Sequence, residues 1–300
     1  MQVKKTWKQV DGVLLLDKPL GMSSNDALQK ARRLFSAAKG GHTGTLDPLA
    51  TGLLPLCFGE ATKFSADLLD ADKTYVATLK LGVTTDSGDA EGAILDNRQV
   101  TIGQAEFESV LPRFLGEIEQ TPPMTSALKR DGRPLYELAR QGLVVEREPR
   151  RITIHAIKLL SFVGDLAEIE VRCSKGTYIR VLGMDIGEAL GCGAHLAGLR
   201  RTEVATLTLA GAVTLAELEA LPEDERSVRL APVDALLQSL PRVDLLAGEG
   251  GERFVHGNPA SVSGLPSGKA RAYVEGRLVG VGEVREDGKL YPKRLVQLAQ

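Results

Sequence analysis

Residues 73–83, KTYVATLKLGV, alternate. Tyr75, Ala77, Leu79 and Leu81 share one face, and Thr74, Thr78 and Lys80 share the other. A period of two belongs to a strand with one face on a core. Residues 166–173, LAEIEVRC, repeat the pattern, with Ala167, Ile169, Val171 and Cys173 on the apolar side. Residues 10–16, VDGVLLL, read as a buried strand. Other stretches carry a helical period. Ala27, Leu28, Ala31, Leu34, Phe35 and Ala38 fall on one face behind a Ser23/Asp26 capping box. Ile179, Leu182, Ile186 and Leu190 form a second stripe, with Thr177 placed to cap it and Gly191 to end it. A helix is expected around Phe107, Val110, Leu111 and Phe114, weakened by Pro112, and a short one from Pro134 to Gly142. Strands and helices mix without a regular strand–helix–strand repeat, so the fold class is α+β.

Beyond residue 240 the texture changes. Glycine is frequent, RAYVE, RLVGVGEVRE and KLYPKRLV read as short strands, and Asp287-Gly288 is a hairpin turn. The chain therefore divides into a main body, 1–240, and a small β domain, 241–300. A hydrophobic share of 43% supports a sizeable core. No run of about 18 apolar residues offers a membrane span, and the basic start MQVKKTWKQV lacks the apolar stretch of a secretory leader. Three cysteines without a C-x-x-C pair fit a reducing cytoplasm and argue against zinc; Cys192 and His195 read as an incidental pair.

The net charge of −2 speaks against a surface that binds polyanions indiscriminately. It is unevenly spread. Residues 121–158 hold eight lysines and arginines against four acids. A local basic groove of this kind suits a shaped nucleic-acid site, although solvated charged faces are also common.

Two charged residues are out of place. Asp47 is the only charged side chain in GGHTGTLDPLATG, residues 40–52, a glycine-rich segment between ordered elements. Taken locally, Asp-Pro is an ordinary turn opener. Arg180 falls in the first turn of its helix, where the macrodipole disfavours a cation by up to ~1 kcal/mol. An anion nearby would offset this, and Asp47 would need a cation if buried and ionised. Among five tyrosines, Tyr75 and Tyr178 sit at the start of a strand and a helix. Each could be core, or a flat partner for an extruded base.

Five segments in order, LLLDKPLGMSSNDALQKARR, GGHTGTLDPLATGLLPLCFGEATKFS, DKTYVATLKLG, CSKGTYIRVL and LGCGAHLAGLRRT, resemble the motifs of the TruB-type tRNA pseudouridine-55 synthases of bacteria. The similarity runs from about Val10 to Arg201 and resumes weakly toward the C-terminus. It implies a mainly antiparallel sheet and a PUA-like C-terminal module that touches the acceptor stem. It implies isomerisation of uridine in the T arm of tRNA by base flipping, cleavage of N1–C1′, rotation of uracil and formation of C5–C1′. No cofactor, metal or obligatory protein partner is implied, and a cytoplasmic monomer is expected. By motif, Asp47 is the nucleophile, Arg180 its ion-pair partner, and Tyr75 the residue that stacks on the uracil and assists C5 proton removal. Tyr178 and Leu199 line the pocket, His42 fills the space left in the RNA loop, and Lys18 supports the site structurally. Two rivals are a glycoside hydrolase, which needs a second carboxylate, and an RNA-folding factor without catalysis. Asp86, Asp89 and Glu91 could supply that carboxylate, but TTDSGDAEG reads as a solvated loop.

Overall fold

The computed structural model describes residues 6–126, 128–130 and 132–297. The main body is built on one large sheet. Its principal strands are β1 (Gly12–Lys18), β2 (Gly40–His42), β3 (Ala50–Phe58), β4 (Lys73–Leu81), β5 (Gly116–Gln120), β6 (Arg150–Val163), β7 (Leu166–Cys173) and β8 (Ala194–Val204). The order is β1-β3-β8-β4-β7-β6-β5, with β2 on β3 and residues Leu230–Ala231 edging β1. Every pairing is antiparallel except β3 with β8. The α+β class and the mainly antiparallel sheet are thus as the sequence reading had them.

The alternating segments occupy the centre. Tyr75, Ala77, Leu79 and Leu81 of β4 and Ala167, Ile169, Val171 and Cys173 of β7 are all buried. They join a core covered by α1 (Ser24–Leu34) and α2 (Ile179–Ala189). Ser23 caps α1 by accepting from the Asp26 backbone N–H. The helix ends at Leu34, and Ser36, in the left-handed region at φ 51°, turns the chain so that Ala38 is exposed. Pro112 splits the third helical stretch into an α-helix, Gln104–Val110, and a 3-10 turn, Leu111–Phe114, as its missing N–H requires. Thr177 does not cap α2. Its hydroxyl donates to the Ser174 carbonyl inside the preceding turn, and Tyr178 occupies the cap position.

The parallel pair decides where the site forms. Leu199 lies opposite Ala50 on one side and Ala77 on the other, while Arg201 lies between Gly52 and Tyr75. Three segments distant in sequence are so drawn to one end of the sheet. The approach is close: a Cβ on Gly52, whose φ is +98°, would stand 2.2 Å from the Arg201 carbonyl oxygen. Gly52→Ala is therefore expected to lower the thermal midpoint clearly, whereas Gly41→Ala, with nothing within 4 Å of its Cβ, leaves it nearly unchanged. Equal midpoints in a melting experiment would contradict this.

A second sheet of five strands spans Arg242 to Leu295, and Gly288 at φ 69° turns the hairpin between Arg277–Val284 and Lys289–Leu295. It has its own core around Phe254, Ala270 and Leu290, and Val281 packs with Val13, Leu53 and Leu237 of the main body. Lys269 and Arg294 reach Asp67 across the same junction. No helix among the described residues is long and apolar enough to cross a membrane.

Candidate active site

Asp47 lies in the loop between β2 and β3, and that loop is held at several points. Ser24 at the start of α1 accepts from the Leu46 N–H at 2.7 Å and donates to the Leu46 carbonyl at 2.9 Å. The Pro48 carbonyl takes the Gly21 N–H, and the Asp47 carbonyl takes the Ala50 N–H. With Leu46 and Ala50 buried on either side, the Asp47 carboxylate is fixed while staying 44% exposed.

Arg180 comes from the first turn of α2. Its position is set by Tyr178, two residues before it. Gln120 at the end of β5 accepts the Tyr178 N–H at 2.7 Å and donates to the Tyr178 carbonyl at 3.1 Å. The guanidinium is buried. Nη2 stands 3.0 Å from Asp47 Oδ2, and Nη1 stands 3.2 Å from Asp89 Oδ2. Thr125 adds a hydroxyl and a carbonyl acceptor. Two carboxylates offset both burial and the unfavourable helix-end position.

Asp89 corrects the sequence reading. The TTDSGDAEG stretch is not a solvated loop throughout: Asp86 and Glu91 are exposed, but Asp89 is 4% exposed. The loop is pinned against β8 by two hydrogen bonds, Leu196 N–H to the Gly88 carbonyl and Ala90 N–H to the Leu196 carbonyl. That turns one acid of the run inward. Its Oδ1 accepts from Ser87 Oγ and the Glu91 N–H.

A cavity of about 240 Å³ opens beside this pair, lined by Asp47, Lys73, Tyr75, Tyr178, Arg180, Leu199 and Arg201 among others. Burial pushes both tyrosine phenols above their ordinary range, and the Arg201 charge pulls Tyr75 partly back. His42 and Lys18 do not line the cavity. His42 sits half-buried on β2, where burial, and then the Arg201 charge, lower its pKa and favour the neutral ring. Of the basic stretch, Lys158 pairs with Glu170 and Arg151 with Glu117, while Arg133 and Arg150 are exposed. Asp131 and the side chains of Lys129, Arg130 and Arg140 lie outside the described residues. Cys192 is buried, and His195 Nδ1 is 2.8 Å from the Val83 carbonyl; no metal-binding cluster occurs among the described residues.

Lys18 is fully buried, and its ammonium donates to the Pro19 carbonyl at 2.9 Å and the Met22 carbonyl at 2.6 Å. It ties the turn that leads to the α1 cap. Burial lowers its pKa from 10.5 to about 8, against the pull of Asp47. The folded chain thus binds this proton more weakly than the unfolded one, so the contribution rises with pH between those values. Relative to Lys18→Met, the parent is expected to gain stability from pH 8 to pH 10.5. Denaturant titrations at both ends would show it, and a gap moving the other way would refute it.

Residues 32–179 match the family described as TruB family pseudouridylate synthase (N terminal domain). Residues 180–238 match the tRNA pseudouridylate synthase B C-terminal domain, and 241–296 match Pseudouridine synthase II TruB, C-terminal. The tRNA pseudouridine synthase B of Dechloromonas aromatica is 71% identical over 299 residues, covering 100% of each chain. The chain belongs to the TruB family of pseudouridylate synthases. The tRNA pseudouridine synthase B of Ralstonia nicotianae is 58% identical over 99% of this chain and 98% of its own. The solved Cbf5-Nop10-Gar1 complex contains a chain 25% identical, at a TM-score of 0.73, over 95% of this chain and 84% of that one.

In this TruB chain the site holds more than the sequence reading named. Gln120, Lys73 and Arg201 shape the cavity or its supports, and so does Asp89, which the sequence reading named only as a hydrolase's second carboxylate. Arg201 had a legible signal: it follows Leu199 at the strand period and so shares its face. Asp89 and Gln120 had none, because both act through folding back of distant segments.

Proposed function

We propose that this enzyme converts uridine 55 in the T arm of tRNA to pseudouridine. The observation that carries the reading is the half-exposed Asp47 carboxylate, aimed into a cavity and gripped from behind by the buried Arg180. A carboxylate so placed is accessible, yet oriented. In the proposed course the target nucleotide is extruded from the loop, at a cost of a few kcal/mol. The neutral His42 ring fills the gap. The base enters between Tyr75 and Leu199, with Tyr178 beside it. Asp47 acts as nucleophile, the N1–C1′ bond breaks, uracil turns over within the cavity, and C5 bonds to C1′. Tyr75 then takes the C5 proton. Nothing leaves and nothing is oxidised, so the course calls for no cofactor.

Binding follows from charge and shape. Basic residues of 121–158 hold phosphates of the T arm without reading bases. The segment from 241 serves as the PUA-like module on the acceptor stem. The enzyme acts as a monomer without a protein partner. The hydrolase reading loses ground because Asp89, the second carboxylate, is committed to Arg180 and does not line the cavity.

Mass mapping of unmodified tRNA incubated with the enzyme tests the proposal. Pseudouridine at position 55, with tritium released from C5-labelled uracil and an intact chain, is the expected result. Free uracil and an abasic site would establish hydrolysis instead, and tight binding without turnover would establish a folding factor.

A further inference from the structure

Arg180 and Arg201 line the cavity, and Arg200 precedes Arg201 in β8; two of these three arginines are matched by carboxylates. Arg180 has Asp47 and Asp89, and Arg200 grips Asp17 with two nitrogens at 3.0 and 2.7 Å. Arg201 is the most enclosed of the three, at 1% exposure, yet it forms no ion pair among the described residues. Its Nε donates to the Leu53 carbonyl at 2.8 Å and its Nη2 to the Gly44 carbonyl at 3.3 Å. Those carbonyls satisfy two of the five N–H groups and leave the charge uncompensated. Lys73 beside it deepens the imbalance. It is buried too, and its ammonium donates only to the carbonyls of Leu68, Leu69 and Ala71. A buried cation without a counter-charge destabilises a fold strongly. One that lines a cavity favours negative charge developing beside it.

The register names that anion. Arg201 stands directly across from Tyr75 in the β4–β8 pairing, and both line the cavity; burial raises the Tyr75 pKa, and the Arg201 charge opposes that rise. We infer that Arg201 is a positioning residue that holds the Tyr75 oxygen against the bound base and stabilises its phenolate, so that Tyr75 accepts the proton from C5 of uracil. The inference rests on the proposed formation of pseudouridine. Once C5–C1′ has formed, C5 carries both the sugar and its original hydrogen, and N1 is doubly bonded to C6. The C5–H proton passes to the phenolate oxygen. Its electron pair makes C5=C6, the N1=C6 pair moves to N1, and N1 takes a proton from water. The hydroxide left behind removes the phenol proton and restores the phenolate.

Single-turnover rates on transcribed tRNA, with uridine or 5-deuterouridine at the target, test this in Arg201→Met, Arg201→Lys, Tyr75→Phe and Arg201→Met/Tyr75→Phe. Arg201→Met is expected to slow the reaction by about 100-fold, the usual worth of general base assistance. tRNA affinity stays within a few-fold of the parent, and a deuterium isotope effect appears that the parent lacks. Arg201→Lys, which keeps the charge, recovers about tenfold of that loss and retains the isotope effect. Adding Arg201→Met to Tyr75→Phe costs little more, because both changes remove one function. If Arg201→Met does not fold, Arg201→Lys carries the test through its isotope effect. Rates that fall without an isotope effect, or losses that add independently in the double variant, overturn the role of Arg201. If Tyr75→Phe itself turns over normally, the proton-acceptor role given to Tyr75 falls first.

Discussion

Asp47→Asn is expected to slow pseudouridine formation by about 10⁴ or more, a barrier increase of ~5 kcal/mol, while tRNA affinity changes by no more than a few-fold. The separation follows from the geometry. The amide keeps the size and the loop contacts of the acid, because Leu46 and Ala50, not the carboxylate, anchor the loop. It lacks the charge needed to attack the sugar. Stability is expected to stay close to that of the parent, since Arg180 still has Asp89 as a counter-charge and position 47 is half-exposed. Single-turnover assays and filter binding on one preparation would separate these effects. An asparagine variant that turns over at near-parental rate would remove Asp47 from the chemistry. His42→Ala should lose less than Asp47→Asn in the same assay, because it serves extrusion and not bond breaking.

Arg180→Met is expected to fail twice. Asp89, at 5% side-chain exposure, would lose the cation that compensates its burial, at a cost of ~3–5 kcal/mol in folding free energy. Asp47 would lose the group that aims it, and turnover should fall with it. The two losses are separable. Adding Asp89→Asn to Arg180→Met removes the stranded charge and should restore part of the stability without restoring activity. Denaturant melts and turnover measured on the single and double variants would test this. A double variant no more stable than Arg180→Met would show that Asp89 is not the stranded group.

The two central strands were legible because a period of two on a half-buried sheet leaves little freedom in which face turns inward. Tyr75 to Leu81 and Ala167 to Cys173 are buried as that period requires. The α1 cap and the break at Pro112 were legible for a similarly local reason: each depends on one side chain and the backbone within a few residues. Thr177 misled because a hydroxyl at a helix start can serve either the helix or the turn before it, and here the turn takes it. Asp89 misled more seriously. A run of acids and glycines looks solvated, and only its hydrogen bonds to Leu196 show that one member points inward.

The α+β class, the strands and helices that carry the site, and the unusual character of Asp47 and Arg180 could be read from the chain alone, because all of these rest on period, local capping and motif. Folding in three dimensions was needed to share Arg180 between Asp47 and Asp89, to let Gln120 set the entry to α2, and to enclose Arg201 across from Tyr75 with no carboxylate paired to it among the described residues. Those facts arise where β8 runs parallel to β3 and antiparallel to β4, joining segments more than a hundred residues apart. Charge compensation depends on distance in space, and a one-dimensional pattern does not carry that distance.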